Sequence, residues 1–208
     1  MEDGPGSILT VTIWLYWAGV GVMVFRVRKR THKATGLVPK ERLERLMWMI
    51  WVPLVMAWIV LPYLAMTQSH PLLALPRPTL VYPAFSTLRW IASALAVFCL
   101  LLTISCWVRM GYNWRMAVVP DERTEPVTHG LYARIRHPIY TLSMLLMLCS
   151  VLIVPTIPMI AVAALHIPLM ILKTRNEERF LLKLYGENYL KYCQRTGRFV
   201  PRLNSCRL

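Results

Sequence analysis

The chain has 208 residues, 56% of them hydrophobic, with a mean hydropathy of +0.46 and a formal net charge of +14. It is too apolar for an ordinary soluble domain and long enough for one compact bundle, which points to an integral membrane protein. Its Lys and Arg lie beside apolar spans and form no nucleic-acid reading motif, so membrane topology and attraction to anionic lipid explain the charge better than a nucleic-acid partner does.

Ile8 to Phe25 is an uncharged run of helical length, preceded by Glu2 and Asp3 and followed by Arg26, Arg28, Lys29 and Arg30. A cleavable signal peptide carries its positive charge ahead of the apolar region, so this order predicts a retained first span with its N-terminus outside. The basic loop with Lys33, Lys40, Arg42 and Arg45 is then cytoplasmic. Leu46 to Met66 reads as a second span, in which Pro53 and Pro62 are points of kinking and Trp48, Trp51 and Trp58 supply bulk or interface anchoring. Thr67 to Thr87 contains four prolines and little charge beyond Arg77, as a non-cytoplasmic loop would. Trp90 to Val108 gives a third span, after which Arg109, Arg115, Arg123, Arg134 and Arg136 fall on the cytoplasmic side.

From Pro138 to Leu172 there is no charged residue, and Pro155-Thr156-Ile157-Pro158 divides the run. Each half is barely long enough for the hydrocarbon core at about 1.5 Å per residue, so a helical hairpin with both ends on the cytoplasmic face is expected. The expected fold is therefore all-α integral membrane: five transmembrane helices including a C-terminal hairpin, plus a cytosolic amphipathic C-terminal helix. It forms a single membrane domain, with residues 8–108 as a three-helix part and 109–208 as the core. Cys99, Cys106, Cys149, Cys193 and Cys206 form no Cys-x-x-Cys pair, so neither a metal site nor a disulfide framework is indicated.

Chemistry concentrates between His129 and Arg198. Pro138 suits the first position of a helix, where its missing N–H costs nothing. The exposed N–H groups and dipole of that helix favour an anion, and Arg134, Arg136 and His137 strengthen the field. Arg134 is equally well explained by the positive-inside rule, whereas Arg136 and His137, fixed directly against Pro138, point to ligand binding. Beyond Leu172, Arg175, Glu178, Leu182, Tyr185, Tyr189 and Tyr192 recur at helical spacing. That stripe is expected to turn a cation, a carboxylate and three phenols towards the bundle; an interfacial helix burying only its aromatic residues is the alternative. His166 lies deep in the fifth span, where a polar group is a candidate lining residue of a substrate cavity.

At these residues the chain resembles the isoprenylcysteine carboxyl methyltransferase family of integral membrane methyltransferases, most of all its short prokaryotic members, and more distantly the phospholipid amine methyltransferases. The resemblance is carried by Gly130-Leu131-Tyr132, by Arg136-His137-Pro138-Ile139-Tyr140, and by Arg175-Asn176-Glu177-Glu178 followed by Tyr185-Gly186 and Tyr189. Gly111-Tyr112-Asn113-Trp114 and the closing Arg195-Thr196-Gly197-Arg198-Phe199-Val200-Pro201 add to it, over about half the chain. Leu142 departs from the pattern, since many members have Gly there. The resemblance implies that S-adenosylmethionine binds in a cytosol-facing pocket made by the fourth-helix entry and the C-terminal helix. It implies cofactor contacts from His129, Gly130, Tyr132, Arg136, His137, Pro138 and Tyr140, with Glu177 or Glu178 holding the cofactor's polar groups. A lipophilic or lipidated acceptor is expected to enter sideways from the bilayer, with His166 and Tyr189 beside it. The membrane is expected to be a plasma or inner membrane, or the endoplasmic reticulum in a eukaryote.

Methyl transfer from a sulfonium is an in-line displacement that mainly needs the nucleophile placed opposite the sulfur and water kept away. A carboxylate nucleophile is already ionised at pH 7 and needs only a cation to orient it, for which Arg175 is the candidate. An amine or thiol would need a base, Glu178 or His137. Neither chemistry requires a metal. Two other classes compete: a membrane NADPH-dependent reductase of the sterol reductase type, and a non-catalytic membrane subunit.

Overall fold

The computed structural model describes residues 3–31, 42–68, 70–111, 114 and 127–202. Glu2, Lys33, Lys40, Tyr112, Asn113, Arg115, Arg123 and Cys206, which the sequence reading used, lie outside them. The elements are α1 (Gly4–Thr31), α2 (Arg42–Thr67), a short α3 (Arg77–Val81), α4 (Pro83–Met110), a 3-10 turn (Gly130–Ala133), α5 (Pro138–Ile153), α6 (Ile157–Tyr185) and α7 (Glu187–Arg195). Proline marks three of the starts: Pro83, Pro138 and Pro158 sit in the first turns of α4, α5 and α6, where the absent N–H removes no helix bond. α2 runs as one helix through Pro53 and Pro62.

Four helices, α1, α2, α4 and α6, are long and apolar enough to cross a membrane; α5 is apolar but has only 16 residues. At 1.5 Å per residue α5 covers about 24 Å, short of a hydrocarbon core of about 30 Å. α6, with 29 residues, is correspondingly long. The helices form a closed ring in which α1 packs on α2 and α4, α2 on α6, α6 on α5, and α5 most extensively on α4. α1 also touches α5 across the ring. Gly19 allows the close approach of α1 to α4, because a Cβ there would overlap the Trp107 ring.

The ring's interior holds Leu9, Ile13, Trp58, Leu146, Met147, Ile153 and Met159, all fully buried, while Leu15, Phe25, Met49, Met56, Ile91, Leu101 and Val108 face outward. An apolar exterior of this extent would aggregate in water and suits a lipid-facing surface. Polar groups inside the ring are largely paired: Trp58 donates to Ser150 Oγ at 2.9 Å, and Thr103 returns its hydroxyl to the Cys99 carbonyl at 2.8 Å.

Candidate active site

The segment entering α5 is held by the end of the chain. Ile135 and Gly197 form a parallel bridge in which Arg136 N–H donates to the Gly197 carbonyl at 2.8 Å, His137 N–H to that of Arg198 at 3.1 Å, and Gly197 N–H to that of Arg134 at 3.0 Å. A Cβ on Gly197 would collide with the Val200 carbonyl oxygen, so this turn requires glycine. Gly130 adopts φ +66° beside the Arg109 guanidinium, and Gly186 adopts φ +52° at the break between α6 and α7. Tyr192 on α7 donates to the Tyr132 carbonyl at 2.6 Å, tying α7 to the 3-10 turn.

Glu178 is the knot of this arrangement. Its Oε1 accepts from Arg136 Nε at 2.9 Å and lies 3.3 Å from His137 Nε2, and its Oε2 accepts from Arg198 Nε at 2.9 Å. Arg136 also donates to the Cys193 carbonyl at 3.2 Å and to the Thr196 carbonyl. Glu178 stands beyond the apolar part of α6, which ends at Leu172. Burial alone would raise its pKa, but the hydrogen bonds from His137, Arg198 and Arg136 outweigh burial and hold the carboxyl well below the usual carboxylate range. The anion expected at the α5 entry is thus supplied by the chain itself.

Beside this knot opens a cavity lined from α1 by Tyr16, Trp17 and Val20, from α2 by Trp51, and from α4 by Trp107 and Met110. Trp114, Tyr132, Arg136, His137, Pro138, Ile139, Tyr140 and Ser143 line it from the α5 side, and Met170, Lys173 and Glu177 from α6. Glu177 Oε2 is buried without a hydrogen-bond partner among the described residues, and His137 Nδ1 is 4.0 Å away. Lys173 is buried, its Nζ 5.3 Å from the centre of the Trp51 ring and 5.8 Å from that of Tyr140.

Of the residues singled out in the sequence, Tyr132, Arg136, His137, Pro138, Tyr140 and Glu177 come together around this cavity. Glu178 is adjacent but fully engaged in the knot, and His129 and Gly130 lie on an exposed turn. His166 is 1% exposed and set behind the wall, its Nε2 3.5 Å from Ser143 Oγ and its ring 5.2 Å from that of Trp58. Tyr189 is buried against Tyr192 and does not line the cavity. Arg175 corrects the expected stripe: it is exposed, as is Leu182, and it does not line the cavity.

The reason is phase. α6 is one uninterrupted helix, so its charged portion inherits the buried face of its apolar portion, which runs Met159, Val162, Ala163, His166, Met170, Lys173 and Thr174 and reaches Glu177. At about 100° per residue, Arg175 lies roughly 200° from Glu177. Lys173 was legible from that same period, counted from the membrane side instead of from the Glu-Glu pair.

Residues 87–188 match the family model for phospholipid methyltransferases, and this half of the chain belongs to that family, which includes the isoprenylcysteine-type membrane methyltransferases. The matched segment begins in α4 and contains α5, α6 and the α5 face of the cavity. It marks a membrane methyltransferase. No curated protein matches the chain.

Proposed function

We propose that the protein transfers a methyl group from S-adenosylmethionine to the carboxylate of a lipophilic acceptor drawn from the bilayer, a prenylcysteine or another small lipid. The observation that carries the reading is Glu177, which meets Tyr140 and keeps one buried carboxylate oxygen, Oε2, without a hydrogen-bond partner among the described residues, in a cavity walled by aromatic rings. A carboxylate so placed favours a cation, and aromatic faces favour one too, which fits the ammonium and sulfonium of this cofactor. When bound, S-adenosylmethionine supplies an electrophilic methyl group on sulfur. Glu177, with Tyr132, Tyr140, His137 and Pro138, would hold it.

The chain's own part is positioning. Lys173 is the cation on the cavity wall, and we assign to it the orienting role that sequence spacing suggested for Arg175. An ionised carboxylate needs no base. The apolar walls exclude water, which would compete for the methyl group and weaken each electrostatic contact. Glu178, engaged by two arginines and His137, acts as scaffold and not as a base.

In this reading the chain crosses the membrane five times, α5 as the short arm of the hairpin, with the N-terminus outside and the cavity, α7 and the C-terminal segment on the basic cytoplasmic side. The test is calorimetric titration of detergent-purified protein with S-adenosylmethionine and S-adenosylhomocysteine. Micromolar binding, about 8 kcal/mol, that falls at least tenfold in Glu177→Gln supports the assignment. Folded protein that binds neither compound and turns over NADPH would move the protein to the reductases.

A further inference from the structure

Outside the cavity, α2 and α6 meet at a second feature that the roles above do not use. Arg42 and Leu43, at the start of α2, and Asn176, Arg179, Phe180 and Lys183, on α6 beyond its apolar part, line an open groove of about 340 Å³. The four α6 residues fall at i, i+3, i+4 and i+7, so they share one face of the helix. Arg42, Arg179 and Lys183 are exposed, and none of them forms an ion pair among the described residues. Arg89, Arg136 and Arg198, by contrast, each meet a carboxylate. The carboxylates near the groove are occupied elsewhere. Glu44 is buried, accepts from Asn176 Nδ2 at 3.5 Å and lines a small recess with Lys173 and Trp51. Glu177 lines the cavity, Glu178 is held in the knot, and Glu187 belongs to α7, past the break at Gly186.

Arg179 and Lys183 are like charges one helical turn apart, a disfavoured pairing that an anion between them and Arg42 would relieve. Depth selects the kind of anion. Arg42 stands four residues, about 6 Å, before α2 becomes uncharged at Leu46, and Arg179 seven residues, about 10 Å, after the apolar part of α6 ends at Leu172. That is the headgroup level, since a bilayer of about 40–45 Å holds only about 30 Å of hydrocarbon. Leu43, Leu46 and Ile50, all exposed, form one stripe of α2 that leads from the groove along the lipid-facing surface. We propose that Arg42, Arg179 and Lys183 bind the phosphate of an anionic phospholipid, whose head bridges α2 and α6 while a chain lies along that stripe. Guanidinium forks match phosphate oxygens, and a zwitterionic head would bring its own ammonium against three cations. The bound lipid would hold the α2–α6 seam closed beside the Glu44–Asn176 contact, whichever reaction the cavity performs.

Thermal unfolding of the full chain in mixed micelles tests this, with dioleoylphosphatidylglycerol, dioleoylphosphatidylcholine and free glycerol 3-phosphate as probes. Phosphatidylglycerol is expected to raise the melting temperature by about 4 °C at ten times its dissociation constant, and the other two to leave it unchanged. Its affinity should fall about fivefold in R179Q and about a hundredfold in R42Q/R179Q/K183Q; all three side chains are exposed, so these variants keep the fold. The control R26Q/R28Q/K29Q removes three exposed cations from the end of α1 and should keep the response. Equal loss of response in both triple variants would reduce the effect to diffuse attraction between a basic face and anionic lipid, and overturns the proposal. A matching rise with glycerol 3-phosphate makes the groove a site for soluble phosphate, and no rise with phosphatidylglycerol leaves it without its lipid; either result also overturns it.

Discussion

α5 is tied down at both ends by an arginine paired with a carboxylate, and the two ends differ in what lies beside the pair. At its C-terminal end Arg89 Nε donates to the Ile153 carbonyl at 2.8 Å and its guanidinium pairs with Asp3, just before α1. The Ser93 hydroxyl donates to the Arg89 carbonyl close by, and fully buried Ile153 and Val154 seal the end. At the N-terminal end Arg136 joins Glu178 to the carbonyls of Cys193 and Thr196, and there the cavity opens. The pairs do similar mechanical work, satisfying helix-end and loop carbonyls with a buried cation that must itself be neutralised. A buried arginine–carboxylate pair is therefore no mark of chemistry in this molecule. Each end also keeps a buried oxygen without a hydrogen-bond partner among the described residues, Thr156 Oγ1 at one and Glu177 Oε2 at the other, so what distinguishes the N-terminal end is the cavity that opens beside Glu177.

Breaking the knot should have the largest effect. Glu178→Ala leaves Arg136, His137 and Arg198 without their shared anion and is expected to destabilise the protein by about 3–5 kcal/mol, with cofactor affinity lost along with it; thermal unfolding in detergent measures the first. The pH dependence follows from the depressed carboxyl. The stabilisation is complete above the unfolded value of about 4.3 and is lost as pH falls through the lower folded value, so the gap in melting temperature between wild type and Glu178→Gln should be constant from pH 8 to 5 and close only below about pH 4.

Arg89→Ala comes next, at about 3 kcal/mol, but its loss should be purely one of stability, leaving S-adenosylhomocysteine affinity within twofold. A larger fall in affinity would mean that the two ends of α5 are coupled. Glu177→Gln sharpens the contrast from the other side: stability should change by less than about 1 kcal/mol while cofactor affinity drops at least tenfold, the signature of a group kept for a ligand. Arg175→Ala should move stability by no more than about 0.5 kcal/mol and leave methylation unchanged, as for an exposed side chain off the cavity.

Much of the frame was legible. The apolar runs ending at Phe25, Met66 and Val108 lie inside α1, α2 and α4, and Pro155 to Pro158 marks the hairpin turn, because proline and the loss of periodicity are local signals. The motif Arg136-His137-Pro138-Ile139-Tyr140 likewise lands on the cavity wall. What stayed hidden depends on long-range geometry. The division of labour between Glu177 and Glu178 is set by about 100° of helical rotation relative to α5, which adjacent positions in a sequence do not express. The misreading of Arg175 came from starting a new helix at Leu172 where α6 continues. Trp51 and Trp58 read as bulk or anchors, and that one lines the cavity while the other donates to Ser150 depends on neighbours far away in the chain.

The pairing of residues 134–137 with Gly197 and Arg198 sets an order of assembly. Arg136 meets the Thr196 carbonyl across 60 positions of chain, and the ribosome makes Thr196 only after those positions. α1, α2, α4, α5 and α6 all precede that closure in the chain, so during biosynthesis the cavity has most of its walls before it has its latch. The cavity should then reach its finished shape only after Arg198 clears the exit tunnel, so a chain still being made presents an open, unlatched form of the site.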